Sequence, residues 1–310
     1  MSARRRASCD TPLVSWEDRQ RQRQGKARQE SHVGTGGRLR GGVPRPGPQG
    51  RRTGTELREA GAEVVFGDLL NLRDVRAALD GVQRAYFNCP VADGLVEAAV
   101  MFAQAAKEQK LELIVNMSHF QSRPVARSKT TQNHWLAEQV FDWSGVPTTH
   151  LRPTVFAQRL LYISGFIRNG RYAMPFNRDS RVAPIAGRDV ALSAAKIFAS
   201  PEKHAGQTYR LTGPVEYSHQ ELAAEVCRVL GKDLPFEQIT VSTFLESIGL
   251  LNDTAKLKHF EAMIIDQQEG LLAGVSDAAP NITGQPLVTV EEFINENRSA
   301  FGLGPAKSAS

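Results

Sequence analysis

Leu113-Ile114-Val115-Asn116 reads as a short strand buried on both faces, and the small polar residue Ser118 follows at its end. A run that is apolar along its whole length belongs in a parallel sheet covered on both sides. Upstream, Glu56–Gly61 reads as the last turns of a helix, and Glu63-Val64-Val65-Phe66 as a strand. Asn71 caps a helix over Leu72–Leu79 with Asp74 in its first turn, and Gly81 stops it. Ala85–Asn88 is the next strand, and Leu95–Gln109 a helix with apolar residues on most of its faces. Beyond the central strand come a polar loop (Gln121–Lys129), a helix over Thr131–Trp143 ended by Gly145, and the strand Thr148–Leu151.

Strands and helices alternating over short connections predict an α/β fold, a right-handed doubly wound parallel sheet of Rossmann type. After Thr154 the alternation loosens. Arg188–Ala199 reads as a helix and Gln207–Thr212 as a strand. Ser218-His219-Gln220-Glu221 is a capping box opening a helix that runs to Leu230. Helices near Val241–Ile248 and Ala255–Gln268 predict a smaller helical substrate or lid subdomain, and Thr289 caps the last helix. The domain reading is therefore 53–154 with 186–212 as the doubly wound domain, 155–185 with 213–305 as the substrate or lid subdomain, and 306–310 as a tail; the resemblance set out below makes the first of these dinucleotide-binding, though incomplete.

Residues 1–52 stand apart. They have almost no apolar periodicity and include the low-complexity runs Gly34–Gly42 and Pro44–Pro48, so they are expected to be disordered. They hold 13 Lys and Arg against 4 Asp and Glu, a net of +9, which leaves −4 for the rest of a chain whose total is +5. The basic character is thus local. With only Trp16 as an interleaved aromatic and no helical face, the segment is a poor nucleic-acid binder. Cys9, Cys89 and Cys227 are odd in number and widely spaced, which suits a reducing cytoplasm and offers no metal site. No apolar run reaches the ~18 residues of a membrane helix, and the first thirty residues lack a signal-peptide core.

In open α/β sheets ligands bind outside the carboxyl ends of the strands. Met117, Ser118 and His119 occupy such a position after the central strand.

Five stretches, REAGAEVVFGDLLNLRDVRAALDGV, LIVNMSHF, VFDWSGVPTTHLRPTVF, GRDVALSAAKIFA and YSHQELAAEVCRVLG, resemble the NmrA-like branch of the short-chain dehydrogenase/reductase superfamily, in particular its NAD(P)H:quinone reductase-type members. The likeness runs from about Arg58 to Phe301. It implies an NAD(P)H cofactor, NADPH by preference. By position, Asp68 and Leu69 would meet the adenine, and Asn88, Cys89 and Pro90 would flank the adenine ribose and pyrophosphate. Met117 and Ser118 would lie beside the nicotinamide ribose, and Pro153 and Thr154 would edge the nicotinamide.

The chain departs from that family in two places. The glycine-rich phosphate loop should follow the first strand and open a helix. Here the glycines at 34, 36, 37, 41 and 42 have no apolar strand before them, and Pro44, Pro46 and Pro48 prevent a helix after them. The first two strands and the phosphate loop are therefore expected to be missing, and dinucleotide binding to be weak in the chain as written. The superfamily's Tyr-x-x-x-Lys acid pair is also absent: no tyrosine lies between Tyr86 and Tyr162, and His134-Trp135-Leu136-Ala137-Glu138 takes its place. His134, His119 and Ser118 are the residues left for proton chemistry. His134 also reads as a surface histidine, and Trp135 and Trp143 as packing.

Quinone reduction tolerates the loss of an acid better than carbonyl reduction does, because its product is a stabilised phenolate. The expected function is hydride transfer from NAD(P)H to a quinone-like small molecule. The alternative is a non-catalytic dinucleotide sensor that regulates transcription or a protein partner.

Overall fold

The computed structural model describes residues 14–16, 39–41, 62–65, 67–89, 94–252 and 254–303. In chain order its strands are β1 (Val14–Trp16), β2 (Leu39–Gly41), β3 (Ala62–Val64), β4 (Arg84–Phe87), β5 (Leu113–Met117), β6 (Thr148–Pro153), β7 (Tyr172–Met174), β8 (Arg181–Val182), β9 (Thr208–Leu211), β10 (Tyr217–Ser218) and β11 (Phe236–Gln238). The longer helices are α1 (Leu72–Leu79), α2 (Leu95–Glu108), α3 (Lys129–Ser144), α4 (Gly187–Ala199), α5 (His219–Leu230), α6 (Val241–Ser247), α7 (Thr254–Gln268) and α8 (Val290–Glu296). The main sheet runs β3-β2-β1-β4-β5-β6-β9, and two-stranded ribbons pair β8 with β10 and β7 with β11.

β2 with β3 and β4 with β5 are parallel, as the alternating pattern predicts. Strand β1 is the exception, pairing antiparallel with both β2 and β4. The expectation that residues 1–52 supply no strands is thus corrected at two points, while the rest of that segment lies outside the described residues. The reason is that a three-residue ladder uses backbone N–H and C=O groups, which any sequence carries. Ser15↔Arg40 and Leu39↔Ala62 need no apolar pattern to pair.

The elements form where local chemistry supports them. Asn71 accepts the Arg73 N–H at 3.1 Å to start α1, and Gly81, at φ 72°, follows its end. Ser218–Glu221 and Thr289–Glu292 form reciprocal capping boxes on α5 and α8.

The chain divides into two compact units. The first is Met1–Ser118, Leu136–His150 and Ala194–Thr208; the second is His119–Trp135, Leu151–Ser193 and Tyr209–Ser310. The core of the first unit is built on three aromatic rings. Phe87 of β4 meets Phe102 of α2 and Phe141 of α3 edge-on, each with centroids 5.0 Å apart. Such pairs add about 0.5–1.5 kcal/mol beyond area burial.

The core of the second unit gathers Ile163, Ile167, Tyr172, Phe176, Val226, Phe244, Phe260, Phe293 and Ile294. There Gly213 passes so close to the Ala183–Pro184 segment that a Cβ on it would stand 1.8 Å from the Pro184 carbonyl oxygen. Its N–H donates to the Ala183 carbonyl at 3.0 Å. No helix among the described residues is long and apolar enough to cross a membrane. Trp143, expected to pack, is exposed.

Candidate functional site

In the first unit, the residues expected to hold a dinucleotide follow β3, β4 and β5. Asp68 opens the turn into α1. Its Oδ1 accepts the Leu70 N–H at 2.9 Å, and its own N–H donates to Asp74 Oδ2 at 3.1 Å. Asp68 therefore does hold its turn, yet its second carboxylate oxygen has no partner among the described residues. Asn88 is exposed after β4. Leu69 and Cys89 are core residues of this unit, leaving their backbones rather than their side chains to a ligand. Pro90 lies outside the described residues. Met117 is half-buried and Ser118 buried at the end of β5.

Ser118 is tied to α3. Its hydroxyl donates to Glu138 Oε1 over 2.5 Å, and both groups are buried. A carboxylate on a buried helix face is costly unless hydrogen-bonded, so this bond fixes both side chains. With its proton committed to Glu138, Ser118 Oγ retains lone pairs and acts as an acceptor. Below it, Asn116 Nδ2 lies 3.0 Å from His150 Nδ1, and His150 Nε2 lies 3.1 Å from Asp142 Oδ1. The tautomer that satisfies all three is Nε2–H, with Asn116 donating to Nδ1. This chain fixes the carboxyl half of β5 to β6 and α3.

In the second unit, His119 and His134 stack with ring centroids 5.5 Å apart. His134 is buried, which corrects its reading as a surface residue. Burial pushes its pKa well below the ordinary imidazole value, and the neighbouring His119 and His259 push it the same way. His134 is therefore neutral at pH 7 and carries no spare proton. Pro153 and Thr154 are buried at the end of β6, and Thr154 Oγ1 has no hydrogen-bond partner among the described residues.

Three residues escaped the sequence reading, Glu138 in the first unit and Thr131 and Asp266 in the second. Glu138 entered only as the last letter of a replaced motif, although a carboxylate three residues before Phe141 on one helix face is itself a signal. Thr131 and Asp266 were not foreseen at all. Thr131 Oγ1 donates to Asp266 Oδ2 at 2.5 Å, and Arg123 approaches Asp266 Oδ1 at 3.7 Å. Among the described residues no group of three His, Cys, Asp or Glu side chains could hold a metal ion.

The position after β1, where the phosphate loop was sought, differs from expectation. Trp16 pairs with Arg84 and Val14 with Tyr86, so the chain leaves β1 at the edge where β4 begins. Of the glycines at 34, 36, 37, 41 and 42, only Gly41 is described, and it ends β2.

The profile of the NmrA-like family matches residues 48–294. The chain belongs to the NmrA-like family. Among curated relatives, an NAD(P)H azoreductase of Xenophilus azovorans is 29% identical over 251 residues, covering 80% of this chain and 86% of that protein. A (4-alkanoyl-5-oxo-2,5-dihydrofuran-3-yl)methyl phosphate reductase of Streptomyces griseus is 28% identical, covering 79% and 86%. Among solved structures, an NADPH-dependent quinone oxidoreductase of Escherichia coli, crystallised with NADPH, superposes with a TM-score of 0.69 at 21% identity. It covers 79% of this chain and 86% of that one.

Proposed function

We propose that this NmrA-like protein is an NAD(P)H-dependent reductase of quinones or related small electrophiles, with NADPH the preferred donor. The observation that carries the reading is the likeness to the azoreductase, which extends over most of both chains. Two polar groups support the cofactor: the second carboxylate oxygen of Asp68 and the buried Thr154 Oγ1 have no hydrogen-bond partner among the described residues, at positions assigned to the dinucleotide. Asp68 and Asn88 would hold the adenosine end, Met117 and Ser118 the nicotinamide ribose, and Pro153 and Thr154 the edge of the nicotinamide. A bound NAD(P)H supplies the hydride.

The side chains of this protein favour acceptors that need no strong acid. Ser118 donates its hydroxyl hydrogen bond to Glu138, and His134 is neutral at physiological pH. A carbonyl reduced to an alkoxide requires a proton donor in the transition state. A quinone reduced to a phenolate does not, and positioning supplies most of the acceleration.

The test is NADPH and NADH oxidation against a panel of quinones and azo compounds, with dinucleotide binding measured in parallel. Turnover supports the reductase. Dinucleotide binding without turnover of any acceptor would replace it with the sensor reading.

A further inference from the structure

Within the second unit, one cluster of buried polar groups serves neither the fold nor the residues assigned above. Arg159 follows β6 on a short helical turn. Among the described residues its Nη2 meets only the Met263 sulfur, at 3.1 Å, and its Nη1 is buried without a hydrogen bond. Its guanidinium carbon lies 5.1 Å from the centroid of Phe176 and 5.9 Å from that of Phe260. Among the described residues no carboxylate pairs with it. Asp266, on the same helix as Met263, faces Thr131 and Arg123 instead.

Tyr172 and His219 lie near this guanidinium, and Gln267 is joined to His219. Tyr172 is fully buried, its hydroxyl has no hydrogen-bond partner among the described residues, and it lies close enough to feel the charge of Arg159. His219 stacks on Phe176 at 5.1 Å, and its Nε2 donates to Gln267 Oε1 at 3.0 Å. That bond leaves the Gln267 Nε2 donors unpartnered in the interior. One cationic and two neutral donors thus remain unsatisfied around one aromatic wall.

A buried charge without a counter-charge is strongly disfavoured. The aromatic faces of Phe176 and Phe260 recover part of that cost. A methionine or leucine would fill the same space with none of it. Burial lowers the pKa of Arg159 to about 10, so the group stays cationic at neutral pH. Planar guanidinium donors, a phenol and an amide are the set that recognises an oxyanion.

We propose that Arg159, with Tyr172 and Gln267, anchors an anionic substituent (a carboxylate, sulfonate or phosphate) on an aromatic or similarly planar substrate. The proposal rests on the reductase reading only in calling that ligand a substrate; the anchor itself is a binding site.

Calorimetry on the full chain tests it with two non-reducible probes, naphthalene-2-sulfonate and the neutral naphthalene-2-sulfonamide. The sulfonate should bind at least about tenfold tighter. Arg159→Gln should weaken it by roughly 10- to 100-fold, the range expected for a hydrogen-bonded charge, while sulfonamide affinity stays within about threefold. The near-isosteric Tyr172→Phe should weaken the sulfonate by roughly 3- to 10-fold and serves alone if Arg159→Gln does not fold. Equal binding of the two probes, no binding of either, or sulfonate affinity unchanged in the variants overturns the anchor.

A turnover arm compares 1,4-naphthoquinone-2-sulfonate with 1,4-naphthoquinone. Arginine-dependent sulfonate binding without reduction of any acceptor leaves the anchor standing and removes the reductase. Reduction of both quinones with equal KM, and no probe preference, does the reverse.

Discussion

Lowering the pH from 7 to 5 charges His219 in the unfolded chain but not in the folded one. The imidazole is 1% exposed, stacks on Phe176 and has one hydrogen-bond partner. Burial pushes its pKa down to about 4, helped by the charge of Arg159 and opposed by the bond to Gln267. The folded value lies below the unfolded value of about 6.5. Stability from this residue is therefore fully present above pH 6.5 and lost as the pH falls towards 4. At pH 5 the unfolded imidazole is almost wholly protonated and the folded one less than about a tenth. Integrating the difference gives about 2 kcal/mol less stability at pH 5 than at pH 7. That is a large share of the ~5–15 kcal/mol of a typical domain.

Urea unfolding at pH 7, 6 and 5, followed by tryptophan fluorescence, measures the loss. His219→Phe keeps a ring against Phe176 and removes the titration. It leaves Gln267 Oε1 without its donor, so it should cost about 1–3 kcal/mol at pH 7 while losing less on acidification. The comparison matters because His134 titrates in both proteins. Equal losses between pH 7 and pH 5 in wild type and variant would refute the neutral, buried His219.

Three other outcomes are expected. Asp68→Ala should weaken dinucleotide binding by ~1.5–3 kcal/mol, and Asp68→Asn, which keeps an acceptor for the Leu70 N–H, should weaken it almost as much; titration with unchanged affinity would remove Asp68 from the site. Ser118→Ala and His134→Ala should each lower quinone turnover by less than roughly tenfold, since neither supplies an indispensable proton, and a loss near 10³-fold at His134 would show it to be the acid. Gly213→Ala must move backbone and strain the bond to Ala183, so it should cost roughly 3 kcal/mol or more and lower Tm by about 6–12 °C; a melting curve within about 1 °C of wild type would contradict the close approach to Pro184.

Elements that announce themselves by local chemistry were legible in the sequence. Asn71, Ser218 and Thr289 mark helix starts that the structure confirms, and the apolar run at Leu113 is the strand that ends at Met117. Strands β1 and β2 were not legible, because backbone pairing three residues long leaves no trace in side-chain periodicity. The burial of His134 and Glu138 was hidden for a related reason. Helix α3 carries polar residues on the side that faces the interior, so its pattern does not say which face is covered. The cluster around Arg159 draws on residues from 159 to 267, and no spacing rule joins positions so far apart.

The placement of β1 has a consequence for handling the chain. Where terminal residues are not tied down, an amino-terminal cut trims only a tail. Here the first strand lies between β2 and β4. A truncation beginning at residue 17 would remove an interior strand, leaving β3-β2 on one side and β4-β5-β6-β9 on the other, each with a newly bare edge open to another chain. Affinity tags, start-site choices and proteolytic trimming at this end therefore act on the middle of the sheet.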